Sequence, residues 1–177
     1  MRKILILLVA AFLIAACNNQ EPAPAPVKIN SDKAFRDTLE NINKILIQKD
    51  NERINAYIKR MDWEMKKTET GLRYALIEQK GNEKIKNDDI VTIDYQIELL
   101  DGTVAYNSDE TGYRKLRIGK TDSESGLQEG LKMTGKGDSA VFITPPYLAK
   151  GLLGDFEQIP ARSILVYKVR VKEIESF

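Results

Sequence analysis

From Gly71 onward the apolar residues recur at every second position, and this change of period constrains the fold more than any other feature. In "DDIVTIDYQIELLDGTVAY", residues 88–106, apolar and polar residues alternate on both sides of Asp101-Gly102. Alternation of that kind marks a half-buried strand, and an Asp-Gly pair between two such runs marks a hairpin turn. "LRYALIEQKG" reads as an earlier strand ending at Gly81, and "GYRKLRIG" as a short one. Two more strands are expected, Ser139 to Thr144 and Ile164 to Val171, both rich in β-branched or aromatic residues. One stretch breaks the alternation. "SGLQEGLKMTGKGD" places Leu127, Leu131 and Met133 on a helical face, and Gly135 and Gly137 end it. A single short helix inserted before the last two strands of an antiparallel sheet is an α+β arrangement.

The last two strands are joined by a long loop carrying Pro145, Pro146, Gly151, Gly154 and Pro160. Long loops in compact domains are usually binding loops or disorder, and Phe156 and Ile159 argue against disorder here.

The N-terminal part has a different character. "MRKILILLVAAFLIAAC" has Arg2 and Lys3, an apolar run, and small residues before Cys17, the pattern of a secretory signal. Its ending, "LIAAC", resembles a bacterial lipobox, which implies cleavage before Cys17 and lipidation of that cysteine. Residues 1–16 are then the signal peptide. Residues 17–30, "CNNQEPAPAPVKIN", form an extended tether. A membrane lipid anchor and a domain in the periplasm follow from that reading. Residues 31–66 read as helical, with Ser31 as N-cap and Phe35, Leu39, Ile42 and Leu46 spaced three and four apart. Ile54, Tyr57, Ile58 and Met61 continue the stripe, as one helix or as two joined near Asp50. The stripe either packs on its own domain or makes a homodimer through these helices. Residues 67–177 form the sheet domain.

Several function classes drop out. The chain has no histidine, so histidine triads, bases and metal ligands are excluded. One cysteine allows no intrachain disulfide. With 27 Lys+Arg against 26 Asp+Glu there is no basic stripe for nucleic acid. Neither a metal nor a cofactor is called for.

Four segments, "VTIDYQIELLDGT", "IGK", "GLQEGLKMTGKGDSAVFITPPYLAKGLLG" and "IPARSILVYKVRVKEI", stand in order over residues 88–174. Together they resemble the FKBP-type peptidyl-prolyl isomerases, and with "TETGLRY", "GLLGDFEQIP" and the lipobox they look most like the gliding-motility-associated lipoproteins of that family. The resemblance implies five or six antiparallel strands curved around the short helix, with a proline-binding pocket between helix and sheet under the long loop. It implies proline-containing polypeptides as clients. Twisting an X-Pro bond breaks no covalent bond, so the lack of histidine is no objection.

Carried over residue by residue, the pocket is mixed. Tyr95 matches the aromatic of the long strand, Tyr167 that of the last strand, Ile159 the apolar wall of the loop, and Leu127 the pocket floor. Phe156 of the overhanging loop joins the substrate-binding side. After "DGTV" the family has Phe then Asp, where this chain has Ala105 and Tyr106. A slip of one residue would instead offer Tyr106 and Asn107 as aromatic and polar handle. The aromatic before "IGK" becomes Arg114 or Leu116, the apolar pair before "SGL" becomes Ser123 and Glu124, and the loop tyrosine becomes Lys150. Glu124 and Lys150 either pair across the rim or stay solvated.

Overall fold

The computed structural model describes residues 33–81, 83–120 and 123–176. The signal peptide, Cys17, the tether and the N-cap at Ser31 lie outside the described residues. The chain divides into two units, Met1–Glu40 and Asn41–Phe177. In the first, the described residues 33–40 are helical; everything that follows concerns the second unit unless stated.

One continuous helix, α1, spans Lys33–Met61. It has no joint near Asp50, because nothing from Asp50 to Asn55 forbids helical dihedrals: the segment holds no proline and no glycine. The apolar stripe behaves differently along its length. Ile54 and Tyr57 are buried against Val141, Ile143, Ile164 and Val166, while Ile42, Ile45 and Ile47 are exposed, as are Phe35 and Leu39 of the first unit. Trp63 closes this cluster edge-on to Tyr57, with ring centroids 5.8 Å apart. Arg162 pairs with Asp50 at 2.7 Å, and the buried Arg73 donates to Gly71 O and to Asn51 Oδ1. A division at residues 66/67 therefore separates Ile54 and Tyr57 from the side chains they bury.

The strands are β1 (Lys66–Lys67), β2 (Arg73–Glu78), β3 (Ile90–Leu99), β4 (Val104–Asn107), β5 (Arg114–Arg117), β6 (Ser139–Thr144) and β7 (Leu165–Glu175). A one-turn helix α2 (Ser108–Thr111) separates β4 from β5, and α3 (Ser125–Leu131) precedes β6. All pair antiparallel in the order β1-β2-β6-β7-β3-β4, with β5 also on β3. Seven strands exceed the expected five or six, because the two-residue β1 adds an edge and β4 and β5 share one edge of β3.

Side-chain alternation explains why β6 and β7 read as unbroken apolar runs. Ala140 and Phe142, with Leu165, Tyr167, Val169 and Val171, face α3 and the main core. Val141, Ile143 and Val166 face α1 on the other side. Both faces are covered, so neither needs polar residues. The helix α3 approaches β6 closely, and a Cβ on Gly130 would stand 2.8 Å from the Phe142 ring. That close approach brings Leu127 and Leu131 down onto the sheet.

Candidate active site

Most of the residues singled out in the sequence gather in or against one buried cluster. Leu127, the first inward residue of α3, is buried in the same cluster as Tyr167 of β7 and Ile159 of the long loop. Tyr95 and Tyr106 are partly buried against that cluster. The β3–β4 ladder shows how Tyr106 gets there. Ile97 pairs with Tyr106 and Glu98 with Val104, which leaves Ala105 as the extra residue of a bulge. The bulge absorbs the one-residue slip and sets Tyr106 opposite Ile97, a buried core residue. The Asn107 side chain caps α2 by accepting from Glu110 N at 2.9 Å.

Tyr106 Oη donates to Asp155 Oδ2 at 2.7 Å, and Glu157 Oε2 lies 3.3 Å away. The hydrogen bond to Asp155, helped by partial burial and by the charge itself, pushes the Tyr106 phenol up to about 12. Asp155 in turn folds the loop: its Oδ1 accepts from Glu157 N at 3.0 Å and Ile159 N at 2.8 Å, and its N–H donates to Ile159 O. This tight loop turns Ile159 inward and Phe156 outward. Phe156 has φ 64° and is 82% exposed, so it stands apart from the buried group. Tyr95 Oη shares a 2.6 Å hydrogen bond with Thr111 Oγ1 of α2.

The charged positions form a triad. Glu124, just before α3, has its side chain only 2% exposed. Arg114 Nη2 lies 3.1 Å from its Oε2, and Lys150 Nζ lies 2.8 Å from its Oε1. The two cations are 26% and 33% exposed, so the carboxylate is the buried member. Burial alone would raise the Glu124 carboxyl, but the Arg114 charge, the Lys150 contact and a backbone hydrogen bond outweigh it and hold the group below its usual range. Arg114 and Leu116 are both inward on β5, two residues apart; Leu116 joins the core and Arg114 reaches the triad. Tyr167 Oη is buried with no hydrogen-bond partner among the described residues. Burial first, then the Glu124 charge, pushes that phenol well above its ordinary value.

Two partners were missed in the sequence: Arg114 as the second cation on Glu124, and Asp155 as the acceptor of Tyr106. No local pattern marks either, since the pairs are 10 and 49 residues apart in the chain.

An apolar floor built from an antiparallel sheet, a short helix and a long loop defines a class. Residues 81–172 match the family of FKBP-type peptidyl-prolyl cis-trans isomerases, and the chain belongs to that family. Among curated relatives it is 33% identical over 111 residues to FkpA of Escherichia coli strain K12, covering 63% of this chain and 40% of that protein. It is 32% identical over 110 residues to FkpA of Buchnera aphidicola from Acyrthosiphon pisum, covering 62% and 45%. The chain thus spans less than half the length of these two relatives. The crystal structure of Escherichia coli FkpA superposes with a TM-score of 0.63 at 26% identity, over 96% of this chain and 81% of that one. AtFKBP13, at 20% identity and a TM-score of 0.60, shares the fold.

Proposed function

We propose that the protein catalyses cis–trans isomerisation of X-Pro bonds in exported polypeptides, held at a membrane by lipid on Cys17. The observation that carries this reading is the retained floor: Leu127, Ile159 and Tyr167 lie in one buried cluster with Tyr95 and Tyr106 packed against it. Uncatalysed rotation faces a barrier of roughly 18–20 kcal/mol, because the amide loses resonance as it twists. The twisted amide is less polar than either planar form. A site that is mostly apolar therefore binds it preferentially, and preferential binding of the transition state is catalysis. Family membership supports the same activity. The anchor rests on the signal ending at Cys17.

A second reading has its own observation. Tyr167 is fully buried and feels the charges of Glu124 and Arg114, and Glu124 is also paired with Lys150. A proline ring needs contact with that floor. A site closed in this way suits a binding module or chaperone that holds clients during assembly of an envelope or gliding-motility machine. Exposed Ile42, Ile45 and Ile47 on α1 favour a homodimer in either case.

The deciding measurement is turnover of proline tetrapeptides by the purified protein. The isomerase reading expects a rate above the spontaneous one that drops in Tyr167→Ala, with folding checked by melting. A rate equal to the spontaneous one in the folded parent refutes it and leaves the binding module. Fractionation of Cys17→Ser tests the anchor: release from membranes, or uncleaved precursor, is the expected result.

A further inference from the structure

The triad at the mouth has a consequence for which clients the site takes. Glu124 is buried and ionised, while Arg114 and Lys150 above it are each about one-third exposed or less. The two cations and one carboxylate sum to one positive charge, and the positive groups are the ones that meet solvent. Among the described residues, Glu124 is the only carboxylate within 4 Å of either cation. A lysine ammonium has three N–H donors and an arginine guanidinium five. Contact with Glu124, and with Ser123 Oγ at 3.3 Å for Arg114, uses only some of them. The mouth also has an acidic side, where Asp155 and Glu157 receive the Tyr106 hydroxyl. Asp155 is occupied by two backbone N–H groups and the phenol. Glu157 is exposed and keeps acceptor capacity on the Tyr106 side, so the unused charged donors, which are what a client carboxylate needs, lie on the Arg114 and Lys150 side.

We propose that Arg114 and Lys150 make this site selective for polypeptide segments with a carboxylate on the residue next to proline. This inference rests on the prolyl-site reading given above. The carboxylate of a client Glu or Asp would accept from Lys150 Nζ and the Arg114 fork while Glu124 keeps both cations in place from below. Charge-assisted bonds of this kind are short and directional, and a guanidinium fork matches a carboxylate. A client lysine at the same place would meet two like charges. Glu124 acts as a positioning residue here, since it is too buried to touch the client.

The test uses two peptide series, with Glu, Gln or Lys placed immediately before the proline in one and immediately after it in the other. Turnover and binding are both measured, binding by NMR shift titration of the labelled protein. In at least one series Glu should exceed its isostere Gln by about 3–10-fold, with Lys weakest, and raised salt should shrink the difference. Lys150→Met should bring the Glu-to-Gln ratio toward one, and Lys150→Arg should retain it, with melting curves confirming that both are folded. Equal turnover of Glu, Gln and Lys peptides in both series overturns the selectivity and leaves the isomerase reading standing. If no peptide is turned over, the isomerase reading falls and the titration decides: tighter binding of Glu peptides with shifts at Arg114 and Lys150 upholds the selectivity, and equal or absent binding overturns it.

Discussion

Two buried carboxylates bracket α3, and the chain satisfies them in opposite ways. Past its C-terminal end, Asp138 accepts from Lys80 N at 2.7 Å, Gly81 N at 2.8 Å and Gly135 N at 2.8 Å. At its N-terminal end, Glu124 is held by two side-chain cations. Backbone donors are fixed by the fold, and here they are fixed tightly. A Cβ on Gly81 would stand 2.7 Å from the Gly135 carbonyl carbon, so the two segments pack main chain on main chain. Side-chain donors can swing away. A carboxylate clamped by backbone is an architectural joint, while one clamped by partly exposed cations is a place where something else can bind.

The sharpest way to break this comparison is Asp138→Ala. It strands three backbone N–H groups, those of Lys80, Gly81 and the buried Gly135, and should cost about 3–5 kcal/mol, read as a lower urea midpoint at unchanged slope. Arg114→Met should cost less, about 1–3 kcal/mol, because Glu124 keeps Lys150 and water can reach the rim. Glu124→Leu should be within about 1 kcal/mol of the parent, since the freed cations are exposed enough to hydrate. A loss in Glu124→Leu as large as in Asp138→Ala would show that both carboxylates are architectural.

The pH dependence sharpens the same contrast. Burial would raise the Asp138 carboxyl, and three backbone hydrogen bonds with the Lys84 charge overcome it, so its folded pKa is depressed, as is that of Glu124. A depressed carboxyl contributes stability above its unfolded value, about 4, and loses it as pH falls through the folded value. The protein should therefore weaken below about pH 4. Asp138→Asn should flatten that acid limb more than Glu124→Gln, measured as melting temperature between pH 3 and 7. An acid limb unchanged by Asp138→Asn would place the responsible protons elsewhere.

What was legible in the chain follows the range of the interaction. Strands β2 to β5 were readable because alternation is local, β6 and β7 because they are short runs rich in β-branched or aromatic residues, and α3 because Leu127 and Leu131 share a face. The two-residue β1 carries no period at all and exists only through its pairing with β2. The choice between Ala105 and Tyr106 was open because a bulge is a property of two strands together. Glu124 with Lys150 was one of two readings, and Arg114 as the third member was invisible, since nothing on β5 indicates which end of α3 it meets. The orientation of Phe156 was not legible either, because its positive φ in the tight turn closed by Asp155, which sends it outward, depends on contacts across the loop.

The smallest effect concerns the buried hydroxyl of Tyr167. Tyr167 is fully buried, and its hydroxyl has no partner among the described residues. A buried hydroxyl without a hydrogen bond is destabilising, because it gave up water on folding and gained nothing in return. Tyr167→Phe keeps the ring against Leu127 and Phe142 and removes only that oxygen. It should therefore leave stability unchanged or raise it by up to about 1 kcal/mol. Ordinary core changes of this size cost stability, so the sign alone is informative. Activity should respond differently. If the hydroxyl is kept for a client group that reaches the floor, Tyr167→Phe lowers kcat/KM for proline peptides several-fold while the protein melts no earlier. A variant that is as stable as the parent and equally active would show that only the ring of Tyr167 matters, and the floor would then be apolar throughout.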